Sequence, residues 1–212
     1  MKLFEHILGF LIISIGIVFV INAKLGAGSL DAFNYYLTEL LGKYSNFITL
    51  GRISILNGTL VMFLAYMIKK DKKIFISFIF LFLVGNFIDI SQWAFSFVSV
   101  TLYDALIERF ILASLGTIII SFGVSMTILT GYQPSPFEAL LLVLDEKIHN
   151  ISLTKILIDG TYLIGAFILG FIYKDVFEQI GIFTIVLTFL TGILVNHFTK
   201  KIYKFKTRKV VV

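Results

Sequence analysis

The sequence predicts an all-α membrane protein with six transmembrane helices, arranged as two three-helix repeats of inverted topology, each with a short re-entrant or interfacial helix after its first span. Three observations lead there. Of 212 residues, 58% are hydrophobic and only 15% charged, against about 25% charged in soluble domains, and mean hydropathy is +0.97. Six apolar runs approach the roughly 20 residues a helix needs to cross a hydrocarbon core about 30 Å thick. Shifting the chain by 107 residues lays its first half on its second without gaps.

The spans fall, in order, at about 7–22, 47–68, 74–97, 110–130, 156–173 and 180–198. Lys2 before the first run gives it the look of a secretion signal. It matches the fourth run, an internal one, so it is read as a retained helix. Zero cysteines exclude disulfides, thiolate metal sites and cysteine nucleophiles. The net charge of +5 sits in Lys/Arg groups beside apolar runs, as in cytoplasmic loops, so no nucleic-acid partner is expected.

The repeat carries the topology. The shift sets Gly9 on Gly116, Ser14 on Ser121, Gly16 on Gly123, Asp31 on Glu138, Ala32 on Ala139, Glu39 on Glu146, Gly58 on Gly165, Tyr66 on Tyr173 and Gly85 on Gly192. Glycines and polar residues are scarce in such a chain, so these coincidences count. Each half, 1–106 and 107–212, adds a short segment after its first span, 31–42 and 137–149. A helix of about 12 residues covers roughly 18 Å, too little to cross. Each half then crosses three times, which inverts the second. The charge pattern agrees: the Lys69–Lys73 loop and the tail from Lys200 to Lys209 both fall on the cytoplasmic side, with both termini.

The short segments follow two chain breaks, Leu25-Gly-Ala-Gly-Ser-Leu-Asp31 and Gln133-Pro-Ser-Pro-Phe-Glu138. Gly26, Gly28, Ser29 and Asp31 in one, and Ser135, Pro136 and Glu138 in the other, are helix-initiating or turn types. Two placements suit them. Opposed half-helix ends meeting at mid-membrane make a transporter-type site, where free N–H groups favour an anion and the carboxylates a cation or proton. Helices lying in the interface would leave Asp31 and Glu138 as simple caps. Among span residues, Arg52 and Asp159 hold matching positions with opposite charges and are candidates for an ion pair or gate. Asp89 and Asn196, also matched, are candidates for a polar pathway. Asn57 and Gln92 suit bonds to neighbouring helices, and Trp93 and Tyr103 an outer aromatic belt. His6, His149 and His197 are scattered at predicted membrane edges without metal-ligand spacing, so no metal or other cofactor is expected. No nucleophile or phosphate-loop motif stands here, so no enzyme activity is expected.

The breaks Leu25-Gly26-Ala27-Gly28-Ser29-Leu30-Asp31 and Ser135-Pro136-Phe137-Glu138, with Gly85-Asn-Phe-Ile-Asp89, resemble the repeated Gly-Ala-x-Pro-Trp-Asp and Gly-x-x-Pro-x-Asp signatures of the YczE/YyaS/YitT-like bacterial membrane proteins. The resemblance covers nearly the whole chain. Ser29 and Leu30 stand where that family usually has Pro and Trp, and Glu138 where it has Asp. The resemblance implies a multi-pass protein of the bacterial cytoplasmic membrane, and says more of fold than of activity.

The expected function is a small secondary transporter or permease-like protein binding a small solute or ion between its repeats. The alternative is a non-transporting scaffold or assembly factor for another membrane or biosynthetic complex. Expected partners are the lipid bilayer, the unidentified solute or ion, and a second copy or another membrane protein.

Overall fold

The computed structural model describes residues 2–98, 105–132 and 135–210, except the side chains of 151, 152, 188 and 206–210. Tyr103, Gln133 and Pro134 lie outside the described residues. Among the described residues, eight α-helices follow one another: α1 (Lys2–Ala23), α2 (Ser29–Gly42), α3 (Leu50–Lys69), α4 (Ser77–Phe95), α5 (Leu106–Thr130), α6 (Pro136–Ile148), α7 (Ile151–Tyr173) and α8 (Ile182–Val210). Among the described residues, six helical segments are long and apolar enough to cross a membrane: α1, α3, α4 with the 3₁₀ turn Lys72–Ile76 before it, α5, α7 and α8.

Local chemistry sets the ends, and shifts some from their expected places. The second span starts at Leu50 rather than 47, because the Thr49 side chain accepts from the Arg52 N–H as N-cap. The fifth starts at Ile151, with Asn150 accepting from the Leu153 N–H. The short helices begin at Ser29 and Pro136 rather than 31 and 137. In the second, the Ser135 cap and Pro136 at the first turn dictate the start. The last helix runs past 198 to Val210, carrying the basic tail with it.

The centre of the bundle is a crossing of α1 and α5 at backbone contact. A Cβ on Gly16 would stand 2.7 Å from the Gly116 carbonyl oxygen, and one on Gly116 would stand 2.8 Å from that of Gly16. Gly9 and Gly123 meet in the same reciprocal way, at 3.1 and 2.8 Å. Rising numbers in α1 meet falling numbers in α5, so the helices are antiparallel. Small residues allow this approach where lipid offers no hydrophobic drive for helix pairing. The 107-residue shift carries Gly9 to Gly116 and Gly16 to Gly123, which converts one glycine pair into the other.

Outer helices pack on this crossing. Ser14 Oγ reaches the Val84 carbonyl of α4 at 3.3 Å, and Asn22 Nδ2 donates to Gln92 Oε1 at 3.0 Å. Ser125 Oγ donates to the Val195 carbonyl of α8 at 3.0 Å. Between α3 and α4 the seam is closest at Gly51, where a Cβ would fall onto the Gly85 carbonyl oxygen. The corresponding place on α8 is open: Gly192, the match of Gly85, has nothing within 4 Å among the described residues.

The short helices stand alongside spans. α2 follows α7 from its middle to its end: Ser29 contacts Asp159, Phe33 packs at Gly165, Tyr36 at Gly170, and both Tyr35 and Tyr36 meet the Tyr173 ring. α6 follows α3 likewise. Leu140 and Val143 pack with Val61, Met62 and Ala65, and Lys69 pairs with Glu146 at the shared end. A helix lying flat in the interface would touch only span ends. The amphipathic face of α2 turns toward α7 and α3.

Candidate functional site

Upright short helices carry their N-termini to the middle of the bundle. Tyr162 of α7 is where they converge, its ring centroid 5.5 Å from that of Phe33 in α2 and 6.1 Å from that of Phe137 in α6. The Tyr162 hydroxyl donates to Asn57 Oδ1 at 3.0 Å, Asn57 Nδ2 donates to Asn34 Oδ1 at 2.8 Å, and Asn34 Nδ2 donates to Ser54 Oγ at 3.2 Å. This chain ties α7, α3 and α2 with buried amides whose oxygens and nitrogens find partners.

Next to this network is a cavity of about 430 Å³, and both Asp31 and Glu138 line it, with Ser135 and Pro136. Residues 107 positions apart in sequence thus share one space. Its other walls are His6, Phe10, Ile13 and Ile17 of α1, Phe80 to Ile88 of α4, and Val124 to Ile128 of α5 with Tyr132 beyond it. No lysine or arginine lines it among the described residues.

The two carboxylates do different work. Glu138 closes a capping box: its Oε2 accepts from the Ser135 N–H at 3.1 Å, and its own N–H donates to Ser135 Oγ at 3.3 Å. At α2 the N-cap is Gly28, which has no side chain to cap with, and Asp31 has no hydrogen-bond partner among the described residues. A carboxylate left unpaired in an apolar cavity is costly unless a proton or cation joins it.

The remaining candidates are placed as follows. Gly26 lies outside the cavity, at φ +115, with Thr184 N only 2.8 Å from where a Cβ would stand; only glycine takes that turn so close to another backbone. Ser29 donates to Asp159 Oδ1 at 3.5 Å. Arg52 and Asp159 do not pair with each other. Arg52 lies over the Phe47 ring and bonds the Phe47 carbonyl, while Asp159 pairs with Lys155 at 2.9 Å, one turn away. Asp89 and Asn196 line no shared pathway. Asp89 accepts from Thr49 Oγ1 at 2.7 Å and from the Gly51 N–H at 2.8 Å, bracing the first turn of the neighbouring α3. Asn196 is exposed on α8.

Nothing in the sequence marks His6, whose position in the chain suggests only a membrane edge. It is 2% exposed, stacked edge-on to Phe10 and Phe80 with centroids 4.7 and 4.5 Å away. Its Nδ1 lies 2.8 Å from Thr130 Oγ1. That hydroxyl also lies 2.7 Å from the Thr127 carbonyl oxygen. Nε2 is buried without a hydrogen-bond partner among the described residues.

The opposite end of the bundle is closed. Residues 174–181 fold onto the first break: the Ala27 N–H donates to the Gln179 carbonyl at 2.9 Å, Gln179 Nε2 donates to the Ile21 carbonyl at 2.8 Å, and the Phe183 N–H donates to the Leu25 carbonyl at 3.2 Å. Tyr36 OH accepts from the Gln179 N–H at 2.9 Å and donates to the Val176 carbonyl at 2.6 Å. Lys24 and Glu178 pair at 2.7 Å, and that bond holds the Lys24 ammonium above its ordinary value.

Residues 1–200 match the model of a family of unknown function, DUF6198. The chain is similar to the uncharacterized protein YyaS of Bacillus subtilis (strain 168), 27% identical over 199 residues, covering 93% of this chain and 92% of that protein. It is also similar to the uncharacterized membrane protein YczE of the same organism, 27% identical over 190 residues, covering 89% of this chain and 80% of that protein. No solved structure matches it significantly.

Proposed function

This chain belongs to the DUF6198 family, and on that premise we propose that it is a small secondary transporter whose solute binds in the central cavity, between two inverted repeats. The observation that carries the proposal is the meeting of Asp31 and Glu138, from two matching breaks, on one cavity. The reciprocal glycine pairs of α1 and α5, each the 107-residue image of the other, support the inverted repeat. The upright stance of α2 and α6 supports their re-entry to mid-membrane, with half-helix N-termini facing the site as in other transporters of this design.

The cytoplasmic side is the one bearing the Lys69–Lys73 loop and the basic tail, in the bacterial cell membrane. The cavity is lined by the halves of α1, α4 and α5 nearest that side, and the far side is closed by residues 174–181. Such one-sided closure is what alternating access requires of one of its states. No chemistry on the solute is proposed. The test is a panel of small cations, anions and neutral solutes in proteoliposomes: the wild-type protein should carry at least one of them, and Asp31→Asn should abolish that flux. No flux of any of them, or equal flux in both proteins, would refute the proposal.

A second reading, a scaffold within a membrane complex or homo-oligomer, draws on α7 and α8. Their span windows are 11% and 18% buried within the chain, against 33% to 44% in the other four spans. A stoichiometric partner lost on changing the open faces of α7, with no solute flux in the wild type, would favour it.

A further inference from the structure

Resting on the transport reading and its inverted repeat, we infer that the protein works as two four-helix bodies that rock against each other around the cavity, exchanging a closed seam between α3 and α4 for a matching one between α7 and α8. One body is α1, α4, α5 and α8. The glycine pairs of α1 and α5 hold it at backbone contact. On that crossing α4 and α8 keep one register, Ser14 reaching the Val84 carbonyl and Ser125 the Val195 carbonyl, each pair 70 positions apart. The other body is α2, α3, α6 and α7. The chain of Tyr162, Asn57, Asn34 and Ser54 ties three of its helices, and Leu140 and Val143 of α6 pack on α3. Between the bodies lies the cavity, with α1, α4 and α5 on one wall and α2, α3 and α6 on the other. The chain passes from body to body at four connectors, and each carries a residue in the left-handed region: Lys24, Lys70, Gly131 and Lys174, at φ 53 to 72. Helices stop at such residues, so turns rather than continuous helix join the bodies.

The two repeats make the joint between the bodies differently. At the α3–α4 seam Gly85 is buried, a Cβ on it would stand 2.6 Å from the Gly51 carbonyl oxygen, and Asp89 accepts from Thr49 and from the Gly51 N–H. The 107-residue shift carries Thr49 to Ile156, Gly51 to Ile158, Gly85 to Gly192 and Asp89 to Asn196, all on α7 and α8. There a Cβ on Gly192 would meet nothing within 4 Å among the described residues, Asn196 is exposed and Ile156 is 66% exposed. The closed seam lies in the half away from the Lys69–Lys73 loop, since Thr49 caps the end of α3 opposite Lys69, and residues 174–181 seal that half as well. The open seam lies in the half bearing the loop, where the last turn of α6 meets Lys69 through Glu146 and α7 begins. Exchanging the two arrangements closes α7 on α8, parts α3 from α4 and moves the opening of the cavity to the other side. Ile158 in place of Gly51 makes the second seam the wider, with a side chain rather than bare backbone against Gly192.

The test is a cysteine pair at Ile156 and Asn196 in the full chain, which has no cysteine of its own, held in lipid vesicles and treated with a short bifunctional thiol reagent that a reductant cleaves. The pair is expected to cross-link, exposed though both residues are. Gly85→Ala puts a methyl group into the closed seam and should speed the cross-link about fivefold or more, the factor that mild overpacking is worth. Gly192→Ala puts one into the open seam, which has room for it until α7 closes, and should slow the cross-link. Labelling of a single cysteine at Ala27 by an impermeant maleimide, applied from the side of residues 174–181, should follow the same order, faster with Gly85→Ala and slower with Gly192→Ala. A protein merely loosened by the changes shifts in one direction for both, so the opposite signs decide the matter even if the cysteine pair proves misfolded. No cross-link in folded protein, or glycine variants that shift labelling in the same direction or not at all, would overturn the inference. In proteoliposomes the cross-link should stop solute flux and the reductant restore it. Cross-links and labelling as expected with no solute carried would remove the transport reading and leave the rocking bodies. Asp31-dependent flux undiminished in fully cross-linked protein would do the reverse.

Discussion

Replacing Gly16 by alanine puts a methyl group where the structure has none to spare. The new Cβ would sit 2.6 Å from Ile120 Cγ1, 2.7 Å from the Gly116 carbonyl oxygen and 2.8 Å from the Ile120 nitrogen. Two of these are backbone atoms, which no rotamer change can move aside, so α1 and α5 must separate along their crossing. Overpacking of this kind costs about 1–3 kcal/mol, partly offset by up to about 1 kcal/mol from the better helix propensity of alanine. Gly192→Ala is the matched control, because nothing lies within 4 Å of its Cβ position among the described residues; there only the propensity gain remains. Thermal unfolding followed by size-exclusion chromatography measures both. For a chain of this size each kcal/mol shifts Tm by about 2–4 °C, so Gly16→Ala should fall by several degrees and Gly192→Ala should hold or rise. The double change Gly16→Ala with Gly116→Ala should cost less than the sum of the singles, since the first separation already makes room for the second methyl. A Gly16→Ala protein as stable as wild type, or strictly additive losses, would refute the backbone-contact crossing.

Other consequences separate the two breaks and the closed end. Ser135→Ala should lower stability by about 0.5–2 kcal/mol through loss of the α6 cap, whereas Asp31→Asn should leave thermal stability unchanged or raised, because it removes an unpaired charge from an apolar cavity; unfolding curves of the two variants decide this. Gln179→Ala removes the amide that reaches the Ile21 carbonyl, and should raise labelling of a cysteine at Ala27 by an impermeant maleimide applied from the side of residues 174–181.

Much of the fold was legible because it is written in hydropathy and small residues. The six spans follow from run length, and Gly9, Gly16, Gly116 and Gly123, picked out as repeat matches, turn out to be the contact itself. Asp31 and Glu138 were legible as a pair, but the distinction between them was not. It depends on whether the N-cap is Ser135, which has a hydroxyl, or Gly28, which has none, and on a start two residues earlier than the acidic residue suggests. Stance was also closed to sequence reasoning: the apolar face of α2 serves equally for a membrane surface or for α7. The Arg52 and Asp159 match misled: the two do not meet, and each found a partner on its own stretch of chain. His6 carried no signal at all, since its burial comes from Phe80 and Thr130, which are distant in the sequence.

The central claim is that the N-termini of both short helices face one cavity reached from the basic side. The chain has no cysteines, so single cysteines at Asp31 and at Glu138 can be probed with an impermeant maleimide applied to sealed vesicles of either orientation. The account predicts that both are labelled from the side carrying the Lys69–Lys73 loop, and that the cysteine at Asp31 is protected from the other side by Gln179 and its neighbours. Labelling of Asp31→Cys from the opposite side alone, with Glu138→Cys labelled only from the basic side, would contradict it.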